Sequence, residues 1–533
     1  MKKVKRISAI LLALAICFTL AACSGGGNNN SPNTQSSPES SQPAAPVAPE
    51  AKFADTVDVL LEMGIPFFDT HTPGGSGGNG EKTILRSIFD RLIGVDPDTK
   101  EFIPELAERW ETSDYKTYTF YLRDDVSFHG DWGKLNAQAV IDSVQLALDS
   151  PGTGAANSWE NVASMTAIDE YTVQFVLHDV NVEFYDNVAQ VGASIVSVAA
   201  RAADPQNGTY VGTGAYYVSD FSTNDHVTLT RNDNYWGQTP PTKTVNFRFV
   251  PEIATRAIML QNGETDVVIA IGSEDMPQFE NDSSKYKVYD FVANVCFFLG
   301  FNMVDPITGD INFRRAVVNA LDLNEIALVG AGDTGVVPPD GAFWGIITEF
   351  RNTDLPAFKQ DIDAAKKYLA DSSYDGSEVE IMAGIPFNIA ASDIIAEQLK
   401  VIGVNTKLFN TDPATVNTLT AFGNNKSQIV NHANGFNVSA SYSSPPLTPT
   451  GASNRTDYNN PEVNRLFALA PTQADPAERG ATYKKIQQIV YDELPLIILF
   501  FRKTPIVTSA NVGGLVADPD HSHDFRFIYK TIS

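Results

Sequence analysis

Two neighbouring phrases decide how this chain folds: Phe102-Ile103-Pro104-Glu105-Leu106-Ala107-Glu108-Arg109-Trp110 and Tyr118-Thr119-Phe120-Tyr121-Leu122-Arg123. In the second phrase Tyr118, Phe120 and Leu122 alternate with Thr119, Tyr121 and Arg123. A period of two predicts a strand that is buried on one face.

Strands and helices are predicted to alternate outward from these phrases. Apolar residues with a period of two or in short runs predict further strands at 56–62, 171–177, 227–230 and 245–250. Helical spacing predicts helices at 81–93, 136–148, 313–321, 362–370, 389–402 and 478–491, the second of them capped by Asn136. This alternation is typical of the α/β class.

The N-terminus has the anatomy of a secretory signal peptide. Lys2, Lys3, Lys5 and Arg6 form a basic region, and an uncharged apolar run continues to Leu20. The run is about 14 residues long, whereas a membrane-spanning helix needs roughly 20.

The phrase Leu20-Ala21-Ala22-Cys23 resembles the lipobox of bacterial lipoproteins. That resemblance implies a signal peptide at 1–22 and a lipid on Cys23, the first residue of the processed chain. An ordinary signal peptide followed by a chance cysteine is the alternative.

Residues 23–50 predict a disordered tether. The segment consists mainly of Ser, Gly, Asn, Pro, Gln and Ala, and it contains no aromatic residue. It cannot bury enough apolar surface to offset its ordering entropy. As a flexible coil it would reach roughly 30 Å.

Length, charge and cysteine content restrict the possible functions. The 533 residues suggest two or three domains. A formal net charge of -26 argues against nucleic acid as a partner. After processing, Cys296 is the one cysteine that is neither removed nor lipidated, so no disulfide framework is expected. Its apolar neighbours predict a buried strand thiol.

Further phrases follow the first two in a fixed order, and together they carry a family resemblance. They are Val126–Gly130, Val211–Tyr216, Arg231–Gly237, Phe301-Asn302, Phe313–Ala316, Ala320–Asp322, Tyr458–Val463 and Arg479–Pro495. With the opening phrases, they resemble the family 5 extracellular solute-binding proteins, which are the oligopeptide, dipeptide and nickel receptors of ATP-binding cassette (ABC) importers.

The resemblance implies a two-lobed, periplasmic-binding-protein-like (type II) fold with a small extra domain on the first lobe. The implied boundaries are 51–75, 206–295 and 500–533 for lobe I, 76–205 for the extra domain, and 296–499 for lobe II. Strands near 295–301 and 496–501 would form the hinge. The implied protein is a monomer without a cofactor. It sits on the outer face of the cytoplasmic membrane through Cys23 and delivers a small solute to permease subunits.

The glycines of Val211-Gly212-Thr213-Gly214 predict a place where the chain must bend or lie close to another backbone. His129 and Gly130 are expected to form a turn that marks the fold and not a catalytic site. In the family the order here is closer to Phe-His-Asp-Gly, whereas this chain has Phe-His-Gly-Asp.

Enzymatic chemistry finds little support in the sequence, and no catalytic or metal-binding residue is predicted. The chain lacks His-Glu-x-x-His and a Gly-x-Ser-x-Gly nucleophile turn. The glycine-rich stretch 73–80 resembles a phosphate loop, but Glu81 interrupts the Gly-Lys pair, so a surface or cleft loop is predicted. His521 and His523, among Asp518, Asp520 and Asp524, are expected to form a solvated turn.

The ligand is harder to predict than the fold. In peptide-binding relatives an aspartate after a Gly-Trp pair holds the amino terminus of the peptide. The matching phrase here is Gly435-Phe436-Asn437-Val438-Ser439, with a neutral serine at the aspartate position. Since a buried ammonium needs a counter-charge, either another acid replaces the aspartate or the ligand is not a plain peptide.

A peptide is the default ligand. A nickel complex, a sugar or another small solute is the alternative, as is a lipoprotein that senses a ligand without feeding a permease. The predicted ligand-contacting residues are Phe67, Phe68, Phe343, Trp344, Phe436, Asn437, Ser439 and Tyr442.

Overall fold

A computed structural model describes residues 52–65, 67–72, 79–97, 99–451 and 453–532. The predicted signal peptide, Cys23, the tether and residues 73–78 of the glycine-rich stretch lie outside the described residues. No helix in the described ranges is long and apolar enough to cross a membrane.

The strands of the described chain are β1 Lys52–Phe53, β2 Thr56–Leu61, β3 Ile93–Val95, β4 Phe102–Pro104, β5 Ala107–Glu111, β6 Thr117–Leu122, β7 Val162–Asp169, β8 Thr172–Leu177, β9 Tyr216–Ser222, β10 His226–Arg231, β11 Thr244–Phe249, β12 Val267–Ile269, β13 Tyr286–Tyr289, β14 Val292–Phe301, β15 Gly335–Val336, β16 Val379–Ala383, β17 Thr406–Asn410, β18 Ile429–Gly435, β19 Leu496–Lys503, β20 Ile506–Ser509, β21 Val512–Gly513 and β22 Tyr529–Ile532.

The α-helices are α1 Asn79–Ile88, α2 Ala137–Leu148, α3 Gly154–Trp159, α4 Phe184–Val188, α5 Val198–Ala203, α6 Ile253–Gln261, α7 Met276–Glu280, α8 Ile311–Ala320, α9 Leu323–Ala331, α10 Ile362–Ala370, α11 Pro386–Val401, α12 Pro413–Leu419, α13 Pro461–Leu469 and α14 Pro476–Glu493. Short 3₁₀ turns lie at Val191–Ala193, Gly208–Tyr210, Gly332–Thr334, Ala440–Ser443 and Ala470–Thr472.

The first large sheet has seven strands in the order β13-β20-β12-β2-β11-β10-β9. Its centre is parallel, since β2 pairs in parallel with both β11 and β12, and antiparallel strands flank it. Helix α1 packs on this sheet through Ile84 and Ile88, which have no exposed surface. This helix lies within the range 76–205 predicted for the extra domain, and the residue boundaries of the lobes stay predictions.

The second large sheet has six strands in the order β15-β19-β14-β18-β16-β17. Strands β14 and β19 pair antiparallel, and β16 lies parallel to β17 and β18. Two hydrophobic clusters pack against it. One cluster includes Phe313 and Ile395, and the other includes Trp344 and Tyr483.

A separate four-stranded antiparallel sheet, β5-β6-β8-β7, contains the second of the two opening phrases. Tyr118 and Phe120 have no exposed surface, as the alternating pattern predicts, and they lie with Trp159 and Phe184 in one hydrophobic cluster. We call this sheet with α2, α3 and α4 the small unit.

Two short connections join the two large sheets. Strand β13 of the seven-stranded sheet is followed, after Asp290 and Phe291, by β14 of the six-stranded sheet. The chain returns from β19 to β20 through Thr504 and Pro505. We call β14 and β19, which adjoin these connections, the crossing strands; they include the segments 295–301 and 496–501, for which a hinge stays a prediction.

One local signal in the sequence, the helix cap predicted at Asn136, is confirmed. Asn136 caps α2, and its side chain accepts a hydrogen bond from the Ala139 backbone N–H at 2.9 Å.

Helix α1 ends at Ile88, earlier than the predicted 93. Beyond it Asp90 accepts hydrogen bonds from Thr213 and from Trp236 Nε1, each at 2.9 Å, and these contacts fix it outside the helix.

The glycines at 212 and 214 lie where the chain passes close to the end of α1, as predicted. A Cβ on Gly212 would stand 2.3 Å from the Ile88 carbonyl oxygen, and one on Gly214 would stand 2.5 Å from the Ile88 carbonyl carbon. His129 packs in the same region, where its Nε2 lies 3.0 Å from the Gly214 carbonyl oxygen. Burial lowers the pKa of His129 to about 4. These contacts give His129 a structural role in packing, as the sequence predicts.

The prediction of a solvated turn at His521 and His523 is wrong. His523 is fully buried and Asp524 is 6% exposed. Lys82 and Arg86 of α1 donate hydrogen bonds to the carbonyl oxygens of Asp520 and Ser522, at 2.9 and 2.8 Å. The prediction failed because the basic side chains that cover this turn are more than 430 residues away in the sequence.

Burial lowers the pKa of His523 to about 4, so this imidazole is neutral near pH 7. Burial, followed by the charge of Asp520, raises the pKa of Asp518 to about 7. In the described residues, no group of three or more His, Cys, Asp and Glu side chains could hold a metal ion.

Candidate functional site

Most of the predicted ligand-contacting residues lie on loops near the end of β18, beside the crossing strand β14. They are Phe343, Trp344, Phe436, Asn437, Ser439 and Tyr442. Val295 of β14 pairs with Gly435, the last residue of β18, so residues 436–442 continue past the start of β14. A second loop, 340–351, packs against the same place. These two loops form the candidate site.

Asn294 connects both loops to the crossing strand. It is fully buried in β14, and its Nδ2 donates to Thr348 Oγ1 at 3.3 Å and to the Asn437 carbonyl oxygen at 3.2 Å. Its own carbonyl oxygen accepts from the Phe436 backbone N–H at 2.8 Å, and its N–H donates to the Pro519 carbonyl oxygen at 2.8 Å. Because its amide is satisfied by partners on both loops, Asn294 fixes their relative position.

An arginine holds the loop 340–351 in shape. Arg351 makes a two-pronged ion pair with Asp340, at 2.7 and 2.9 Å, and also donates to the carbonyl oxygens of Trp344 and Gly345. Both side chains of the pair are largely buried. A buried bidentate pair of this kind fixes orientation as well as position.

Three predicted aromatic residues are packed inside this site. The rings of Phe343 and Phe436 lie 5.6 Å apart, edge to face, and each side chain is 2% exposed. Trp344 is fully buried and donates from Nε1 to the Glu349 carbonyl oxygen at 2.8 Å. Packing therefore accounts for Trp344 without a ligand, and contact between these rings and a ligand stays a prediction.

Each polar predicted residue of the site makes a hydrogen-bonding contact, which for Asn437 is made by its backbone carbonyl. The carbonyl oxygen of Asn437 accepts from Thr348 Oγ1 at 2.6 Å. Ser439 is 2% exposed, and its Oγ lies 3.0 Å from Ser441 Oγ. The Tyr442 hydroxyl lies 3.3 Å from Ser158 Oγ of the small unit, and burial raises the pKa of Tyr442 to about 12.

The structure places the remaining two predicted residues in the segment that follows β2. Phe67 is half-buried. Phe68 is fully buried in the core of the seven-stranded sheet, stacked 4.6 Å from Tyr210 and edge to face with Phe221 at 5.2 Å. Phe68 therefore has no free surface in this structure, and a ligand contact at either position stays a prediction.

Acidic side chains lie around Ser439, although none occupies its position. The Glu349 backbone N–H donates to the Val438 carbonyl oxygen at 2.8 Å, and burial raises the pKa of the Glu349 carboxyl. Asp186 of α4 faces the same region. Its pKa is raised to about 7, first by burial and then by the charges of Glu349 and Glu183. Carboxyl groups thus lie near the loop that carries the neutral serine, and burial favours their protonated forms while no cation is bound.

A second charged group lies between the two large sheets. Glu62, directly after β2, accepts hydrogen bonds from Arg502 of β19 at 2.9 and 3.1 Å. Arg256 of α6 lies 4.0 Å from the same carboxylate. The Arg502 guanidinium also stands 4.3 Å from the ring centre of Phe387, within cation–π range.

An open pocket of about 490 Å³ lies away from these loops, between residues 303–314 and 457–493. Its polar groups are already paired: Arg314 donates to the carbonyl oxygens of Glu493 and Thr308, and Tyr458 donates to Glu493 Oε2 at 2.6 Å. We therefore assign the candidate site to the crossing strands and not to this pocket.

Sequence reasoning missed Asn294, Glu183, Glu349 and Arg502. For Asn294 a signal was present, since it is an amide inside the apolar run 292–301, and a buried amide needs partners. The others carry no local signal, because their partners are distant in the sequence.

Comparison with known proteins identifies the family to which this chain is similar. Residues 101–455 match the family described as bacterial extracellular solute-binding proteins, family 5 middle. Among curated proteins, heme-binding protein A of Haemophilus influenzae is 24% identical, over 96% of this chain and 97% of its own. The dipeptide-binding protein of Escherichia coli is 25% identical, over 82% of this chain and 88% of its own.

A solved structure shares the fold. The dipeptide binding protein of Pseudoalteromonas sp. SM9913, in complex with Met-Leu, superposes with a TM-score of 0.77 at 21% identity, covering 89% of this chain and 100% of that one. The predicted α/β, two-lobed type II fold is thereby confirmed.

Proposed function

The chain belongs to the bacterial extracellular solute-binding proteins of family 5, and from this premise we propose that it captures a peptide or a similar small solute between its lobes for delivery to an ABC permease. The observation that carries the proposal is the pair of crossing strands, β14 and β19, with the candidate loops built beside them. Two short connections allow the sheets to rotate about one place, and closure would desolvate a ligand held there.

A peptide is the ligand class that we propose. Its amino terminus would be neutralised by an acid other than residue 439, with Glu349 and Asp186 as candidates near that position. A buried ammonium requires such a partner. Of the relatives, the Escherichia coli protein is named for binding dipeptides, which supports the proposal.

A non-peptide solute is the second candidate. The specific observation in its favour is Ser439, which is neutral, buried and already paired with Ser441. Another relative is named for binding heme, so ligands differ among proteins similar to this one. We propose no catalytic activity for the chain, and we propose that it acts as a monomer.

An uptake assay tests whether the protein delivers its ligand to a permease. In a strain without other peptide importers, deletion of the gene is expected to abolish uptake of labelled trialanine, because the permease would lose its receptor. Complementation with the intact gene serves as the control. A protein that only senses its ligand would leave uptake intact when its signal is supplied, and that result would contradict the proposal.

We also propose that Cys23 carries a lipid that holds the protein on the outer face of the cytoplasmic membrane, with residues 24–50 as the tether. Two acyl chains suffice for stable anchoring. The Cys23→Ser variant is expected to move from the membrane fraction to the soluble fraction or the medium. The Cys17→Ser variant, changed within the leader, should stay in the membrane fraction. Retention of both variants would argue against the lipid.

A further inference from the structure

The small unit touches the rest of the protein through a buried carboxylate. Glu183 directly precedes α4 and is 2% exposed. Two close partners of its carboxylate lie on α14: the Tyr483 hydroxyl donates to Oε2 at 2.8 Å, and Arg479 Nε stands 3.3 Å from Oε1. The Ser441 side chain of the candidate site also forms a hydrogen bond with it. We call Glu183, Tyr483 and Arg479 the Glu183 bridge.

Two further contacts join the same surfaces. The Val182 backbone N–H donates to the Pro471 carbonyl oxygen at 2.8 Å. On the other side of the bridge, the Ser158 and Tyr442 hydroxyls lie 3.3 Å apart. The small unit is therefore held to the six-stranded half of the molecule by side-chain and backbone contacts that involve residues remote in sequence.

We propose that the Glu183 bridge holds the six-stranded lobe against the small unit and thereby slows release of the bound solute. The proposal rests on the receptor function proposed above, and it gives Glu183 and Tyr483 the role of positioning residues. Opening of the lobes would break every close contact of this carboxylate and expose it to water.

The chemistry of the two groups favours a persistent hydrogen bond. Burial, followed by the negative charge of Glu183, raises the pKa of Tyr483 well above its ordinary value, so the hydroxyl keeps its proton and donates. Burial also raises the pKa of Glu183 itself. The titratable groups that face it are Arg479 of α14, Glu349 of the candidate site and Asp186 of α4. With one cation against three carboxyl groups, the Tyr483 hydroxyl is an important partner for the buried oxygen.

Tyr483→Phe tests the bridge, because it removes one hydroxyl and keeps the packed ring. Tyr458→Phe is the matched control: its hydroxyl also donates to a glutamate, Glu493, at 2.6 Å, but both residues belong to the six-stranded half. Glu183→Gln is the second variant, since it keeps the size of the side chain and removes the charge that attracts Arg479.

The first readout needs no ligand. Hydrogen–deuterium exchange of the Val182 amide, which donates across the contact, is expected to be about tenfold faster in Tyr483→Phe than in the parent protein, since a hydrogen bond to a buried carboxyl group is lost. The Tyr458→Phe variant should exchange at the parent rate. Equal exchange in the parent, Tyr483→Phe and Glu183→Gln proteins would overturn the proposal.

The second readout is the dissociation of labelled trialanine in stopped flow. Release is expected to be about tenfold faster from Tyr483→Phe, with the association rate unchanged, whereas a general loss of structure would also reduce the bound fraction at saturation. If the parent does not bind trialanine, the proposed peptide ligand fails, and the exchange experiment still decides on the bridge.

Discussion

Replacement of Glu105 by alanine is expected to lower the free energy of unfolding by about 3–5 kcal/mol, because it leaves the buried Arg91 without its carboxylate partner. Glu105 lies between β4 and β5, and it is 3% exposed. It accepts from Arg91 through both oxygens, at 2.7 and 3.2 Å, and from the Arg91 backbone N–H at 3.0 Å. Arg526 approaches the same carboxylate at 3.4 Å.

The acid form of Glu105 is disfavoured in the folded protein. Burial acts to raise its pKa, but Arg91 and Arg526 outweigh burial and hold it at about 2. Since the pKa is lowered on folding, the stabilisation by Glu105 is fully present above its unfolded value of about 4.3 and is lost as the pH falls towards 2.

Denaturant unfolding at pH 7 measures this effect. Glu397→Ala is the control, because Glu397 forms an exposed pair with Lys400 at 3.6 Å and its loss should change the free energy by no more than about 0.5 kcal/mol. In a double-mutant cycle, Arg91→Ala and Glu105→Ala should couple by about 1–3 kcal/mol. A change below about 1 kcal/mol for Glu105→Ala would show that the pair contributes little.

Local features of the fold could be predicted from the sequence. Alternation at Tyr118 and Phe120 gave a strand, and the Asn136 cap gave the start of α2, because each depends on neighbours along the chain. Close backbone approach at Gly212 could also be predicted, since only a glycine fits where the added Cβ would stand 2.3 Å from the Ile88 carbonyl oxygen.

Features that join distant parts of the chain could not be predicted. The buried turn at His523 depends on Arg86, and Glu183 depends on Tyr483, which lies 300 residues further along. Nothing near Glu183 in the sequence distinguishes it from the many other acids of a chain with net charge -26. The predicted positions 436–442 lie together beside β14, and Asn294 and Glu349 join them from other segments, but ligand contact at these positions stays a prediction.

A tripeptide is expected to stabilise the protein strongly. A ligand that binds only the folded state adds about 2.7 kcal/mol to the free energy of unfolding when its free concentration is 100 times Kd. The gain should depend on a free amino terminus, because the proposed partners of that group are carboxylates such as Glu349 and Asp186. N-acetyl-trialanine is therefore the matched control, and it should stabilise the protein far less.

Isothermal titration calorimetry of the purified protein with trialanine tests the central claim most directly. If the protein is a solute receptor for peptides, trialanine is expected to bind saturably with one-to-one stoichiometry. N-acetyl-trialanine, a sugar such as maltose and a nickel–histidine complex are expected to give much weaker heats or none. Saturable binding of maltose or nickel–histidine without binding of trialanine would contradict the peptide assignment. Absence of binding across a broad set of peptides, sugars and metal complexes would contradict the receptor function.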